Sequence, residues 1–335
     1  RFNGLDSYRR KVTRYLFWDD NSNFRQAFRI NMTASKLTLI SDIGGTNARM
    51  ALVDNKKKTV NEKVYLHQDY EGLEQILEDF IKVTGEPELQ RGILGVAAPI
   101  IGDEVNFVNA NLSFSQKNLE DKFFKHGLVV LNDLELQVLA LNSLTKGDVT
   151  VIGEQQLNNS TKILISPGTG LGLAGLVKGT PVATESGHIN IPHIAGLESL
   201  IESFRQKKGR TPTFEDLLSG KGILFLNEFV SNEINGSVTS EQALMSNTKE
   251  GQEVREIFSV ILAIFCRFSA LMWGSKGGVY LSGSIINSLI EQINLNDFRD
   301  NFEDSQTMKD LLMACPIIHV KNKNLGFIGA KTLIK

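Results

Sequence analysis

Two stretches of this chain put bare backbone where an anion could sit. Asp42-Ile-Gly-Gly-Thr-Asn interrupts two apolar runs at 37–54, and Gly168-Thr169-Gly170 does the same at 162–178. Glycine weakens a core strand, so its use there needs another reason. At Gly44, Gly45, Gly168 and Gly170 no side chain shields the backbone N–H groups, while Thr46, Asn47 and Thr169 add donors. The anion such turns suit is a phosphate. The plainer alternative is that the glycines only make hairpin turns. A single turn favours that alternative, but two sharing Gly-Thr chemistry favour phosphate.

The polar candidates lie between and after these turns. "VVLND" ends a strand, and Asn132-Asp133 stands where the helix "LELQVLALNSL" begins. Most such pairs only cap the helix. A helix N-terminus also lowers a carboxylate pKa, so Asp133 is expected to be ionised at neutral pH. In "TESGHINI", Glu185 and His188 flank a Ser-Gly turn that lets both point at one small polyol. His193 is near, but no third His or Cys accompanies it, so no metal site is expected. In "TPTFEDLLSG", Thr213 and Asp216 have the spacing of a capping box, with Glu215 inside it.

These residues need strands to hold them. Strands are expected at "KLTLISDI", "RMALVD", "KVYLHQ", "RGILGVAAPI", "DEVNFVN" and "LVVLND", and helices at "YEGLEQILEDFIKVTG" and "SQKNLEDKFF". "KILISPGTGLGLAGLVKGTPVAT" repeats the opening pattern of strand, glycine turn and strand. The rest is mostly helical until "GGVYLSGSI" and "PIIHVK". "GLGLAG" matches a dinucleotide pattern, but the residues after it alternate like a hairpin, and no acid follows at the required distance. The Walker pattern is absent. Two related α/β halves facing one ligand are the simplest architecture, with the site in the cleft between them.

Composition bounds the rest. A length of 335 residues suffices for two cores, and a net charge of −2 gives no bulk case for nucleic acid or an anionic membrane. No apolar run is read as a membrane span, since Arg267 interrupts "IFSVILAIFCRFSALMW". Cys266 and Cys315 are expected as free buried thiols in a reducing, cytoplasmic setting. Residues 1–35 read as a non-native or disordered extension, with the chain's own start at Met32; the alternative is a short interaction arm.

Taken together, "DIGGTNARMALVD", "LNDLELQVLAL", "SPGTGLGLAGLV", "ESGHINI" and "FEDLLSG" resemble the bacterial-type glucokinase family of the sugar kinase–actin–Hsp70 superfamily, in order and with similar spacing. The resemblance implies an α/β, two-domain hexokinase-like (ribonuclease H-like, actin-like ATPase) fold with an interdomain cleft. It implies ATP-dependent phosphorylation of the D-glucose 6-hydroxyl with Mg²⁺; the sequence leaves the oligomeric state open, a homodimer included. The small domain would be 36–143, completed by 321–335, and the large domain 144–320. Carried over by residue, Asp133 becomes the base that accepts the sugar hydroxyl proton. Asn109, Asn132, Glu185, His188 and Glu215 become sugar contacts. Asp42, Gly44, Gly45, Thr46, Asn47, Gly168, Thr169, Gly170 and Gly283 become nucleotide contacts. A bulky residue at Gly45 or Gly170 is then expected to weaken ATP far more than sugar.

The chain departs from the family at Ala110 and Leu112, where His and Trp follow the Asn near the sugar. It also departs at Pro167 and at Ser284, where a Gly-Gly pair is usual. A kinase for another hexose or amino sugar, or a sugar-binding regulator without turnover, are the alternatives.

Overall fold

The computed structural model describes residues 37–107, 112–232 and 238–334. The extension at 1–35 and the sugar candidate Asn109 lie outside the described residues. Two sheets organise the chain. The first contains β1 (Leu37–Ile43), β2 (Asn47–Val53), β3 (Thr59–Leu66), β4 (Leu89–Val96) and β7 (Leu128–Asn132), in the order β3-β2-β1-β4-β7. A short ribbon, β5 (Glu104–Asn106) with β6 (Ser113–Ser115), and two helices, α1 (Leu73–Val83) and α2 (Gln116–Phe123), fill the connections. The second sheet contains β8 (Val149–Ile152), β9 (Lys162–Pro167), β10 (Leu171–Val177), β11 (Thr180–Thr184), β12 (Gly278–Leu281) and β13 (Ile317–Val320). Its order is β11-β10-β9-β12-β13-β8.

The two sheets repeat one plan. In each, a glycine turn joins the first two strands as an antiparallel hairpin, a third strand adds to the hairpin, and two parallel strands lie on the other side. The sequence echo is therefore an architectural repeat. It also explains the failed dinucleotide pattern, because the residues after Gly170 pair antiparallel with β9 instead of opening a helix. The short strands β6 and β8 carry too little periodicity to be read from sequence.

Alternation along β1 divides two cores. Leu39 and Ile43 face the cluster that holds Leu73, Ile76, Leu77 and Phe80 of α1, which recur at helical spacing. Ile40 faces the opposite layer. That layer is α3 (Asp133–Leu139) and α12 (Leu325–Leu333), lying between the two sheets. Leu136, Phe327 and Ala330 pack on the first sheet, while Val138 and Leu325 join Leu164 and Ala174 of the second. The two helices approach so closely that a Cβ on Gly329 would lie 1.7 Å from the Leu136 carbonyl oxygen. The last helix thus packs against the same α3 that begins at Asp133.

The outer face of the second sheet carries α4 (Glu198–Lys208), α5 (Phe214–Leu217), α6 (Gly220–Ser231), α7 (Ser240–Met245), α8 (Lys249–Trp273), α9 (Ser284–Leu289), α10 (Leu295–Glu303) and α11 (Lys309–Ala314). By length and composition α8, which contains the apolar run interrupted by Arg267, could cross a membrane. It instead buries Val254, Phe258, Ile261, Leu262 and Phe265 against α6 and α10 as a core helix. Cys266 and Cys315 are free and buried, as expected.

Candidate active site

In sheets of this kind, ligands collect beyond the carboxyl ends of the parallel strands. Here β1 ends at the first glycine turn, β4 at Ala97-Ala98-Pro99, β7 at Asp133, and β9 at the second glycine turn. All four border one cleft of about 1270 Å³, which also takes in Asn132, Glu185, His188 and Glu215. That exceeds the usual range for one small ligand and leaves room for two. Phe204, Phe225, Lys207 and Lys221 line its wall on α4 and α6. Asp42, Asn47 and Gly283 are not on the cleft surface. Gly283 caps α9 with φ +100° at the end of β12, close against Ser166 and Pro167.

Asn132 is the cap of α3. Its Oδ1 accepts the Leu134 N–H at 3.0 Å, while Glu135 accepts the Asn132 N–H at 3.2 Å. This completes a capping box and leaves Asn132 its Nδ2 donor for a ligand. Asp133 is released from capping and occupies the first helical position. Its expected ionisation is not what the surroundings favour. Burial, and then the negative charge of Asp42, push its pKa up to about 7; backbone N–H groups at the helix start pull the other way, and Glu185 adds a smaller upward push. Asp42 is itself raised by burial, with Arg49 opposing. The helix terminus acts in the expected sense, but loss of water and a neighbouring acid outweigh it.

Glu185, His188 and Glu215 form a second group. His188 Nε2 lies 3.7 Å from Glu185 Oε2, and its Nδ1 lies 3.9 Å from Glu215 Oε1. These separations exceed hydrogen bonds, so the polar atoms remain able to take ligand hydroxyls. The capping box at Thr213 and Asp216 is present as read from sequence, and Arg210 also pairs with Asp216. Glu215 is free of that box. Its Oε2 instead accepts the Leu171 N–H at 2.8 Å, at the exit of the second glycine turn. A Cβ on Gly170 would sit 2.6 Å from the same oxygen. A side chain at Gly170 therefore meets a sugar candidate as well as the phosphate turn, which bears on the expectation that its substitution weakens ATP far more than sugar.

The turns are also less open than expected. Gly44 donates its N–H to Asn47 O at 2.9 Å, and Gly168 donates to Gly170 O at 2.7 Å. The amides of Gly45, Thr46, Thr169 and Gly170 have no partner among the described residues. A Cβ on Gly44 would make only one ordinary contact and one on Gly168 none, and neither residue has the left-handed φ that demands glycine. Neither packing nor backbone conformation within the chain requires glycine at these two positions.

Glu135 escaped the sequence reading. It ties the start of α3 to the Asn132 amide and, through the Ala183 backbone, to the strand leading to Glu185. The Asn-x-x-Glu spacing was its signal. Ala97–Pro99 carry no polar side chain and are recognisable only from their place at a strand end.

A family profile described as "Glucokinase" matches residues 39–335. A glucokinase of Neisseria meningitidis is 30% identical over 312 residues, which cover 90% of this chain and 95% of that one. Among solved structures, a glucokinase from an Antarctic psychrotroph superposes with a TM-score of 0.76 at 25% identity, covering 89% of this chain and 98% of that one. A glucokinase from Balamuthia mandrillaris, solved in complex with glucose, superposes with a TM-score of 0.74 at 19% identity, covering 94% and 99%. The matched span runs from the strand that enters the first glycine turn to the end of the chain, and the chain belongs to the glucokinase family.

Proposed function

We propose that this chain transfers the terminal phosphoryl group of ATP to the 6-hydroxyl of D-glucose in the cleft between the two sheets. The observation that carries the reading is the position of Asp133 in one cleft with two glycine turns and the Glu185–His188–Glu215 group. Glucose would lie against Asn132 Nδ2, Glu185, His188 and Glu215. The carboxylates accept its hydroxyl protons, and Asn132 donates. Asp133 accepts the 6-hydroxyl proton as the oxygen attacks phosphorus. A pKa of about 7 suits a group that must take a proton at neutral pH and later release it.

The free amides of Gly45, Thr46, Thr169 and Gly170 would hold phosphate oxygens, and Lys207 and Lys221 add positive charge along the cleft wall. Phosphoryl transfer asks the protein mainly for positioning and charge stabilisation, which these groups supply. No group of three or more candidate ligands gathers among the described residues. Asp133, on the cleft surface, is a hard oxygen donor and fits magnesium that arrives with the nucleotide and keeps its waters. Bound there, magnesium would neutralise developing charge on the phosphates. The buried free thiols support a reducing, cytoplasmic setting.

ADP release measured across glucose, mannose, fructose, galactose and N-acetylglucosamine tests the reading. Glucose is expected to lead in kcat/KM by a wide margin, because a pocket built for one set of hydroxyls leaves polar groups unpaired with another. A flat profile would overturn the choice of glucose, and no ADP release with any hexose would overturn the kinase. Leu112 makes the panel necessary. It stands where the family has Trp, and it is buried in the core of the first sheet.

A further inference from the structure

We propose that His67 is the positioning residue of the first glycine turn, clamping it so that its free amides face the nucleotide phosphates. The inference rests on the reading of that turn as a phosphate cradle. His67 follows β3 directly and opens the single turn His67–Asp69. Its backbone N–H donates to Thr46 O at 3.0 Å, and its ring Nδ1 lies 3.3 Å from Gly45 O. One residue thus holds two consecutive carbonyls of the turn. A carbonyl only accepts, so Nδ1 carries the ring proton and donates it. The other ring nitrogen, Nε2, is buried without a partner among the described residues. Burial lowers the pKa of the imidazole, with the Gly45 carbonyl opposing. The residue is 9% exposed, and its ring meets Phe107 edge-on with centroids 6.4 Å apart.

Peptide geometry makes this more than packing. In a planar trans peptide, a carbonyl and the following N–H point in opposite directions. Holding Gly45 O toward His67 therefore turns the Thr46 N–H away from it. The third tie, Gly44 N–H to Asn47 O, closes the turn on itself. With glycine at positions 44 and 45, nothing in the turn's own side chains fixes this orientation. An external donor is needed, and His67 supplies it.

The test uses the full chain and calorimetric binding of a non-hydrolysable ATP analogue, adenosine and glucose, each separately. His67→Phe keeps the ring volume and the backbone N–H and removes only the Nδ1 donor. Loss of one such bond is expected to weaken the triphosphate about three- to ten-fold. Adenosine and glucose, which do not use the turn, should stay within about two-fold. His67→Asn places an amide donor at the same position along the side chain and should restore most of the triphosphate affinity. In turnover, KM for ATP should rise in the Phe variant while kcat and KM for glucose hold. If the Phe variant does not fold, His67→Ala takes its place in the same comparison. An unchanged ratio of triphosphate to adenosine affinity, or equal weakening of all three ligands, would overturn the clamp. Wild-type protein that binds nucleotide but phosphorylates no glucose would overturn the proposed function while the ratio still decides the clamp. Wild-type protein that binds no nucleotide would overturn both.

Discussion

The two glycine turns read alike in sequence and are held in different ways. The first, between β1 and β2, is tied to His67 at the end of β3, within its own sheet. The second, between β9 and β10, is tied outward. Gly168 O accepts the Gly220 N–H at 2.8 Å, and Glu215 accepts the Leu171 N–H. Both anchors belong to the helical segment that also carries a sugar candidate. One turn is therefore braced by scaffold and the other by the substrate-facing wall. In the proposed complex, a force that glucose exerted on Glu215 would reach the second turn directly and the first only through the layers between the sheets. A duplicated hairpin has acquired two mechanical roles without a change in its backbone plan.

Asp133 borders the cleft with both turns, and changing it should produce the largest effect. Asp133→Asn is expected to lower kcat by about 10²–10⁴-fold, the usual range for a positioned base, with glucose affinity nearly unchanged. Steady-state kinetics with a glucose binding isotherm decide this; wild-type kcat in the Asn variant would leave the turns without shared chemistry to serve. The next effect separates the turns' anchors. Gly170→Ala must displace Glu215, a charged hydrogen-bond partner, and should cost roughly 10–100-fold in kcat/KM for glucose and ATP alike. Gly168→Ala points into open space and should raise KM for ATP alone, by about three-fold or less. If Gly170→Ala acts only on ATP, the link through Glu215 does not function and the two turns are equivalent after all.

Much of this was legible in the sequence, for identifiable reasons. The glycine hairpins stood out because Gly and Thr break apolar runs that otherwise read as core strands. Glu185 and His188 stood out because they flank a Ser-Gly turn, whereas Glu215 was picked out through the family resemblance, the capping box around it being a local helix-start pattern. What failed was whatever depends on distant chain. The pKa of Asp133 was read from its own helix terminus, but it is set first by burial and then by Asp42, 91 positions earlier. The contact between Gly170 and Glu215 joins residues 45 apart in sequence. His67 resembles any histidine at a strand end until Gly45 O is found beside it.

The remaining predicted effect concerns stability, and it distinguishes strain in the acid pair from strain in the turns. Folded Asp133 keeps its proton up to about pH 7, against 3.8 for an ordinary aspartate. Below pH ~4 it is protonated in both folded and unfolded chains and carries no penalty. As pH rises from there through about 7, the unfolded chain releases its proton first, so the native state loses stability over that window. The full shift would correspond to about 4 kcal/mol, and residual solvent access to Asp133 reduces this to ~1–2 kcal/mol. Asparagine has no charge to bury. Without ligands, Asp133→Asn should therefore melt a few degrees above wild type at pH 8 and equal it near pH 4. The same substitution would then abolish turnover and stabilise the fold, because the base is held beside Asp42 at a cost in stability. Thermal melts across pH 4–8 read this directly. Equal melting temperatures at pH 8 would mean that the carboxyl is well solvated, and the distinction would then rest on the turns and their two anchors alone.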